Sequence, residues 1–100
     1  MKIDEKIIKD KLKQVLDPEL GVSIVDLGLI YEVNINKKKV KIVMTLTTVG
    51  CPLFSLIEKE IRYKLNELGL RDEEIELELT FDPPWTIERM SNEARVMLGI

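Results

Sequence analysis

Ile3, Ile7, Ile8, Leu12, Val15 and Leu16 recur at helical spacing, with lysines and acids between them. The pattern predicts an amphipathic helix stopped by Asp17-Pro18, because the residue before a proline disfavours the α region. From Leu29 the period falls to two. Leu29, Tyr31, Val33 and Ile35 share one face, and Glu32, Asn34 and Asn36 share the other. The triplet Lys37-Lys38-Lys39 reads as a hairpin tip. Beyond it Val40, Ile42, Met44 and Leu46 lie opposite Lys41, Thr45 and Thr47, so the two strands form a hairpin.

A second helical pattern runs from Pro52 to about Leu68, with Leu53, Ile57, Ile61, Leu65 and Leu68 on its inner stripe. Gly69 stands where the glycine that ends a helix belongs. A third strand places Ile75, Leu77, Leu79 and Phe81 against Glu76, Glu78 and Thr80, and "DPPW" at 82–85 breaks it. Residues 86–98 read as a short closing helix, in one or two pieces, ended by Gly99, with Met90 and Met97 as core residues.

Each strand has one apolar face and each helix one apolar stripe. The simplest packing is a two-layer α/β (α+β) fold of order α-β-β-α-β-α, with a three-stranded mixed sheet and the helices on one face. The other sheet face is expected to be polar, with Lys41 available to Glu32, Glu76 or Glu78. No linker, repeat or low-complexity segment interrupts the chain, which reads as a single domain over 1–100.

Composition narrows the chemistry. The 100 residues are 45% hydrophobic, enough for one core, and the 33% charged residues are interspersed to a net charge of −3. Little supports a nucleic-acid groove, since no basic block exceeds the lysine triplet. No apolar run approaches the roughly 18 residues of a membrane span. The charged start "MKIDEKIIKDKLKQ" lacks the apolar stretch of a secretory signal. A lone cysteine forms no internal disulfide and suits a reducing cytoplasm. The absence of histidine removes Ser/His and Cys/His catalytic pairs and every His-ligated metal site.

That one cysteine lies in "TLTTVGCPLF", between the second strand and the second helix. Proline is favoured at the first helical position, so Pro52 puts Cys51 at the helix N-cap. There the unpaired N–H groups and the helix dipole favour a thiolate. A right-handed crossover makes the second and third strands parallel, so their carboxyl ends share one edge. The first strand, antiparallel to the second, starts from that edge. Three irregular segments are therefore expected to converge: 17–28, 47–51 and 82–85. Loops at such carboxyl ends favour binding sites. Each candidate also has a plainer role. Cys51 can be a small buried hydrophobe, Asp17 a turn former before proline, and Asp26 a cap on local N–H groups. Trp85 can be a lid on the core edge or part of a partner surface. Arg95 can be a surface charge or hold a carboxylate at the shared edge.

"DPELGVSIVDLGLIY", "LTTVGCP", "DPPW" and "MSNEARVMLG" together resemble, in order and spacing, the small iron–sulfur cluster assembly domain family. Its members include SufT-like and PaaD-like proteins and the amino-terminal domains of some Mrp-type carriers. The resemblance extends from about Lys6 to Gly99. It implies a two-layer α/β fold, a role in maturing iron–sulfur proteins, and a functional patch of Asp17, Glu19, Asp26, Thr48, Cys51, Pro84, Trp85, Ser91 and Arg95. Val49 replaces a proline common in relatives, and Phe81 a common tryptophan. The PaaD-type cysteine-rich tail and a nucleotide-binding carrier domain are not in this sequence, which implies the stand-alone form.

Iron–sulfur clusters are held by several thiolates, and one chain supplies one. The implied cofactor is therefore a transient cluster or iron, with Cys51 as its soft ligand and none bound tightly. Two copies with external thiols could hold a cluster as a homodimer, or the chain could act as an adaptor between scaffold and recipient apoproteins. Asp17, Glu19 and Asp26 would bind iron or fix loop geometry. The implied protein is not an enzyme, and neither nucleic acid nor membrane is a partner. The alternatives are a thiol-dependent enzyme or redox switch at Cys51, which lacks a histidine base and a resolving cysteine, and a plain interaction module docking through Trp85.

Overall fold

Asp4 opens the first helix: its Oδ1 accepts from the N–H of Ile7 at 2.9 Å, satisfying one of the orphan donors of the first turn. The computed structural model describes residues 4–37, 39–47 and 54–99. Helix α1 spans Glu5–Leu12 and buries Ile8 and Leu12 completely. It ends earlier than its periodicity predicts. Leu16 leaves the helix to form an antiparallel bridge with Ser23, while Ile24 N–H donates to Val15 O and Asp17 N–H to Val22 O. This small hairpin takes the backbone groups that a longer helix would use. Val15 remains fully buried, but Leu16 is 53% exposed.

Strands β1 (Ile30–Asn36) and β2 (Lys39–Met44) pair antiparallel, and β2 pairs in parallel with β3 (Ile75–Leu79). The order β1-β2-β3 makes β2 central. The carboxyl ends of β2 and β3 thus share one edge, as the crossover predicts. Helix α2 spans Phe54–Asn66 and buries Ile57, Ile61 and Leu65. Its end is a Schellman motif around Gly69: Gly69 N–H donates to Asn66 O, and Leu70 N–H to Leu65 O. Buried Leu70 and Leu65 supply the apolar contact that accompanies such a turn. The inner sheet residues Val33, Val40, Ile42, Met44 and Ile75 join the α1 and α2 stripes in one core. The closing helix comes in two pieces, a single 3₁₀ turn at Ile87–Arg89 and α3 at Asn92–Leu98.

The outer sheet face carries the rows Asn34–Lys41–Glu76 and Glu32–Val43–Glu78. Lys41 Nζ lies 3.3 Å from Glu78 and 3.7 Å from Glu76, so two of its three expected partners hold it. The hydrogen bond and charge of Glu78, followed by the charge of Glu76, raise its pKa above the ordinary value.

Three expectations about faces fail. The pairing of β1 and β2 slips between Ile30 and Glu32. This bulge makes Ile30, not Tyr31, the partner of inward-facing Met44. Thr45, expected on the polar face, is fully buried beside Leu29, whose carbonyl accepts its N–H at 2.8 Å. Thr45 lies at the end of the sheet where residues 83–91 meet residues 26–31. Met90 is in the core, but Met97 is 67% exposed, since α3 turns only Ala94 fully inward.

Candidate functional site

Four contacts bind the segment after β3 to the start of β1 and the segment before it. The Trp85 indole Nε1 donates to Leu27 O at 2.7 Å. Ser91 N–H donates to Asp26 O at 2.7 Å. The Tyr31 hydroxyl donates to Pro83 O, also at 2.7 Å. Gly28 lies so close to Arg89 that an added Cβ would stand 2.3 Å from the Arg89 carbonyl oxygen. Thr80 N–H then donates to Met44 O, tying the exit of β3 to the end of β2. Two of the three converging segments therefore meet at one sheet edge. In the third only Thr47 is described; Thr48 and Cys51 lie outside the described residues.

The other predicted site residues fall into distinct roles. Asp17 Oδ1 accepts from Glu19 N–H at 2.8 Å and from Leu20 N–H at 3.0 Å, so its carboxylate shapes the loop. Glu19 is exposed beside it. Asp26 is half-buried, and its described hydrogen bond is made by its backbone; of its two readings, the local cap is not made by its carboxylate among the described residues. Pro84 is exposed, and Trp85 is half-buried against the core. Ser91 is the N-cap of α3, accepting from Ala94 N–H at 3.1 Å. Arg95, read as a surface charge or a holder of a carboxylate, donates from Nη2 to the carbonyl Ile87 O at 3.4 Å. Its buried Nε has no hydrogen-bond partner among the described residues, and neither does buried Thr45 Oγ1.

The edge also contains a pair that sequence patterns did not single out. Arg89 stacks over the Tyr31 ring, 4.5 Å from its centroid. Both line an open cleft of about 610 Å³ whose floor is Val43 and whose rim carries Glu32, Glu78 and Asp82. Tyr31 reads in the sequence as an apolar strand residue, and nothing local marks the bulge that redirects it. Among the described residues, no group of three or more His, Cys, Asp or Glu is placed to hold a metal ion. Among the same residues, no helix is long and apolar enough to cross a membrane.

The sequence model of a family described as iron-sulfur cluster assembly protein matches residues 5–77. The chain is 44% identical over 94 residues to the Fe-S protein maturation auxiliary factor YitW of Bacillus subtilis (strain 168), spanning 93% of this chain and 91% of that protein. It is 41% identical over 87 residues to the Fe-S protein maturation auxiliary factor SufT of Staphylococcus aureus (strain USA300), spanning 86% of this chain and 98% of that protein. A crystal structure of a domain of unknown function from Bacillus anthracis matches with a TM-score of 0.89 at 40% identity, over 96% of this chain and 92% of that one.

Proposed function

The chain belongs to the iron–sulfur cluster assembly family, and on that footing we propose that it matures iron–sulfur proteins by passing a cluster or iron to recipient apoproteins through Cys51. The observation that carries this reading is similarity to maturation auxiliary factors along nearly the whole of both chains. The cluster is cargo. The Cys51 thiolate acts as a soft ligand or exchange partner toward the scaffold and the recipient. Because one chain contributes one thiolate, the remaining ligands come from the partner or from a second copy. The protein works in a reducing compartment, the cytoplasm, and has no turnover chemistry of its own.

Asp26 and Glu19 are the carboxylates suited to assist, since no hydrogen bond among the described residues engages either side chain. Asp17 is committed to its loop. The Trp85 indole N–H is spent on Leu27 O, which weighs against a plain docking module built on that side chain.

The test mixes reduced protein anaerobically with ferrous iron and sulfide and follows cluster absorption in the wild type and Cys51→Ser. The same variants are assayed for aconitase-type activity in a strain lacking the native protein. The wild type should develop cluster absorption and restore activity, whereas Cys51→Ser should do neither. Full restoration by Cys51→Ser would remove the thiol from the mechanism.

A further inference from the structure

Helix α2 has a second stripe besides the one it buries. Leu56, Lys59, Glu60, Tyr63 and Lys64 follow helical spacing along one side. With Leu16 and Pro18, on the chain leaving α1, they line a groove of about 650 Å³. Its apolar residues are open to solvent: Leu16 is 53%, Leu56 49% and Tyr63 60% exposed. The core does not need them, because Ile57, Ile61 and Leu65 already fill the inner side of α2. Exposed apolar residues gathered in one groove mark an interaction surface more often than residues scattered singly do.

Charge decides the occupant. Neither Lys59 nor Lys64 makes an ion pair among the described residues, although Lys64 Nζ lies 5.9 Å from the centre of the Tyr63 ring. Among the described residues, Glu60 is the single carboxylate lining the groove, so two ammonium groups outnumber it. A symmetric contact with a second copy would bring Lys59 and Lys64 of both chains to the same patch, adding like charges. A partner with carboxylates meets no such cost.

We propose that this groove, formed by Leu16, Pro18, Leu56 and Tyr63 and edged by Lys59 and Lys64, docks an amphipathic helical segment of a partner protein whose apolar stripe is flanked by Asp and Glu. Apolar anchors enter between the leucines and Tyr63, and the flanking carboxylates reach the two lysines. The groove shares no lining residue with the Tyr31–Arg89 cleft, and the inference does not depend on the maturation reading.

The probe is a pair of synthetic amphipathic helical peptides with the same leucine stripe, one flanked by Glu and the other by Lys. Each is titrated into isotope-labelled full-length protein, with no iron or sulfide present, and amide shifts are followed by NMR. The Glu-flanked peptide should shift Leu16, Leu56 and Tyr63 and bind at least about tenfold tighter than the Lys-flanked one. Tyr63→Ser should weaken it, and Lys59→Glu with Lys64→Glu should invert the preference between the peptides. Because these positions are on the surface, circular dichroism should show the variants folded. The proposal fails if neither peptide shifts the groove, if shifts centre on the Tyr31–Arg89 cleft, or if both peptides bind equally. It also fails if sedimentation shows self-association that Leu56→Ser abolishes, which would assign the groove to a second copy.

Discussion

The Trp85 indole and the Leu27 carbonyl, 58 residues apart in the chain, meet in a 2.7 Å hydrogen bond. The bond joins the loop after β3 to the loop before β1, and so assembles the edge of the proposed site. Trp85→Phe keeps most of the ring's contact with the core but leaves the Leu27 carbonyl without its donor. It should cost about 1 kcal/mol, read as a lower urea midpoint by circular dichroism with little change in slope. An unchanged midpoint would mean that the contact does not hold the edge together.

Gly28 makes a close backbone approach in the same junction. Its φ of +77° disfavours any side chain, and an added Cβ would lie 2.3 Å from Arg89 O and 2.7 Å from Arg89 Cβ. Gly28→Ala should therefore destabilise by several kcal/mol, roughly 1–2 from the left-handed backbone and the rest from displacing the 3₁₀ turn. Gly21→Ala is the control. Its φ is +67°, but nothing lies within 4 Å of the added carbon, so only the backbone cost applies. Equal losses of thermal stability in the two variants would show that the segments are not in contact.

Two aspartates should separate folding from function. Asp17→Ala removes the acceptor for Glu19 N–H and Leu20 N–H and should cost about 1 kcal/mol in thermal unfolding. Asp26→Ala removes a carboxylate without a described hydrogen bond, while the backbone bond from Ser91 stays in place. Its stability should remain within about 0.5 kcal/mol of wild type, and its support of aconitase-type activity in cells should fall. Wild-type activity in folded Asp26→Ala would exclude that carboxylate from the working patch.

Lys41 offers a pH test on the outer sheet face. Glu78 and Glu76 raise its pKa in the folded state above the ordinary 10.5. The resulting stabilisation is fully present below the unfolded-state value and is lost as pH rises through the higher folded value. The stability difference between wild type and Lys41→Met should be small at neutral pH, because these groups are exposed. It should shrink with added salt and vanish as the solution passes 10.5 and climbs beyond the folded value. A difference that grows in alkali would contradict the pairing.

Local periodicity was enough to determine the order of elements, the β1–β2 hairpin and the inner stripe of α2. Spacings of two and of three to four residues directly state which positions can share a face. The parallel relation of β2 and β3 followed from connectivity, because a helical crossover has one strongly favoured hand. The role of Asp17 was also legible, since an aspartate before proline acts on backbone N–H groups only two and three residues away.

Tertiary structure decided whatever depended on a distant neighbour. The bridge from Leu16 to Ser23 ended α1 early, and the bulge at Ile30 to Glu32 put Tyr31 beside Pro83 and Arg89. Thr45 is buried at the sheet end where residues 83–91 meet residues 26–31, and α3 left Met97 in solvent. Ser91 and Arg95 were grouped with the site by motif, yet the contacts of one cap a helix and those of the other reach a carbonyl. A hydrophobic pattern records which residues can be buried. Which ones are buried depends on segments that fold back from far along the chain, and that information is absent from any local window.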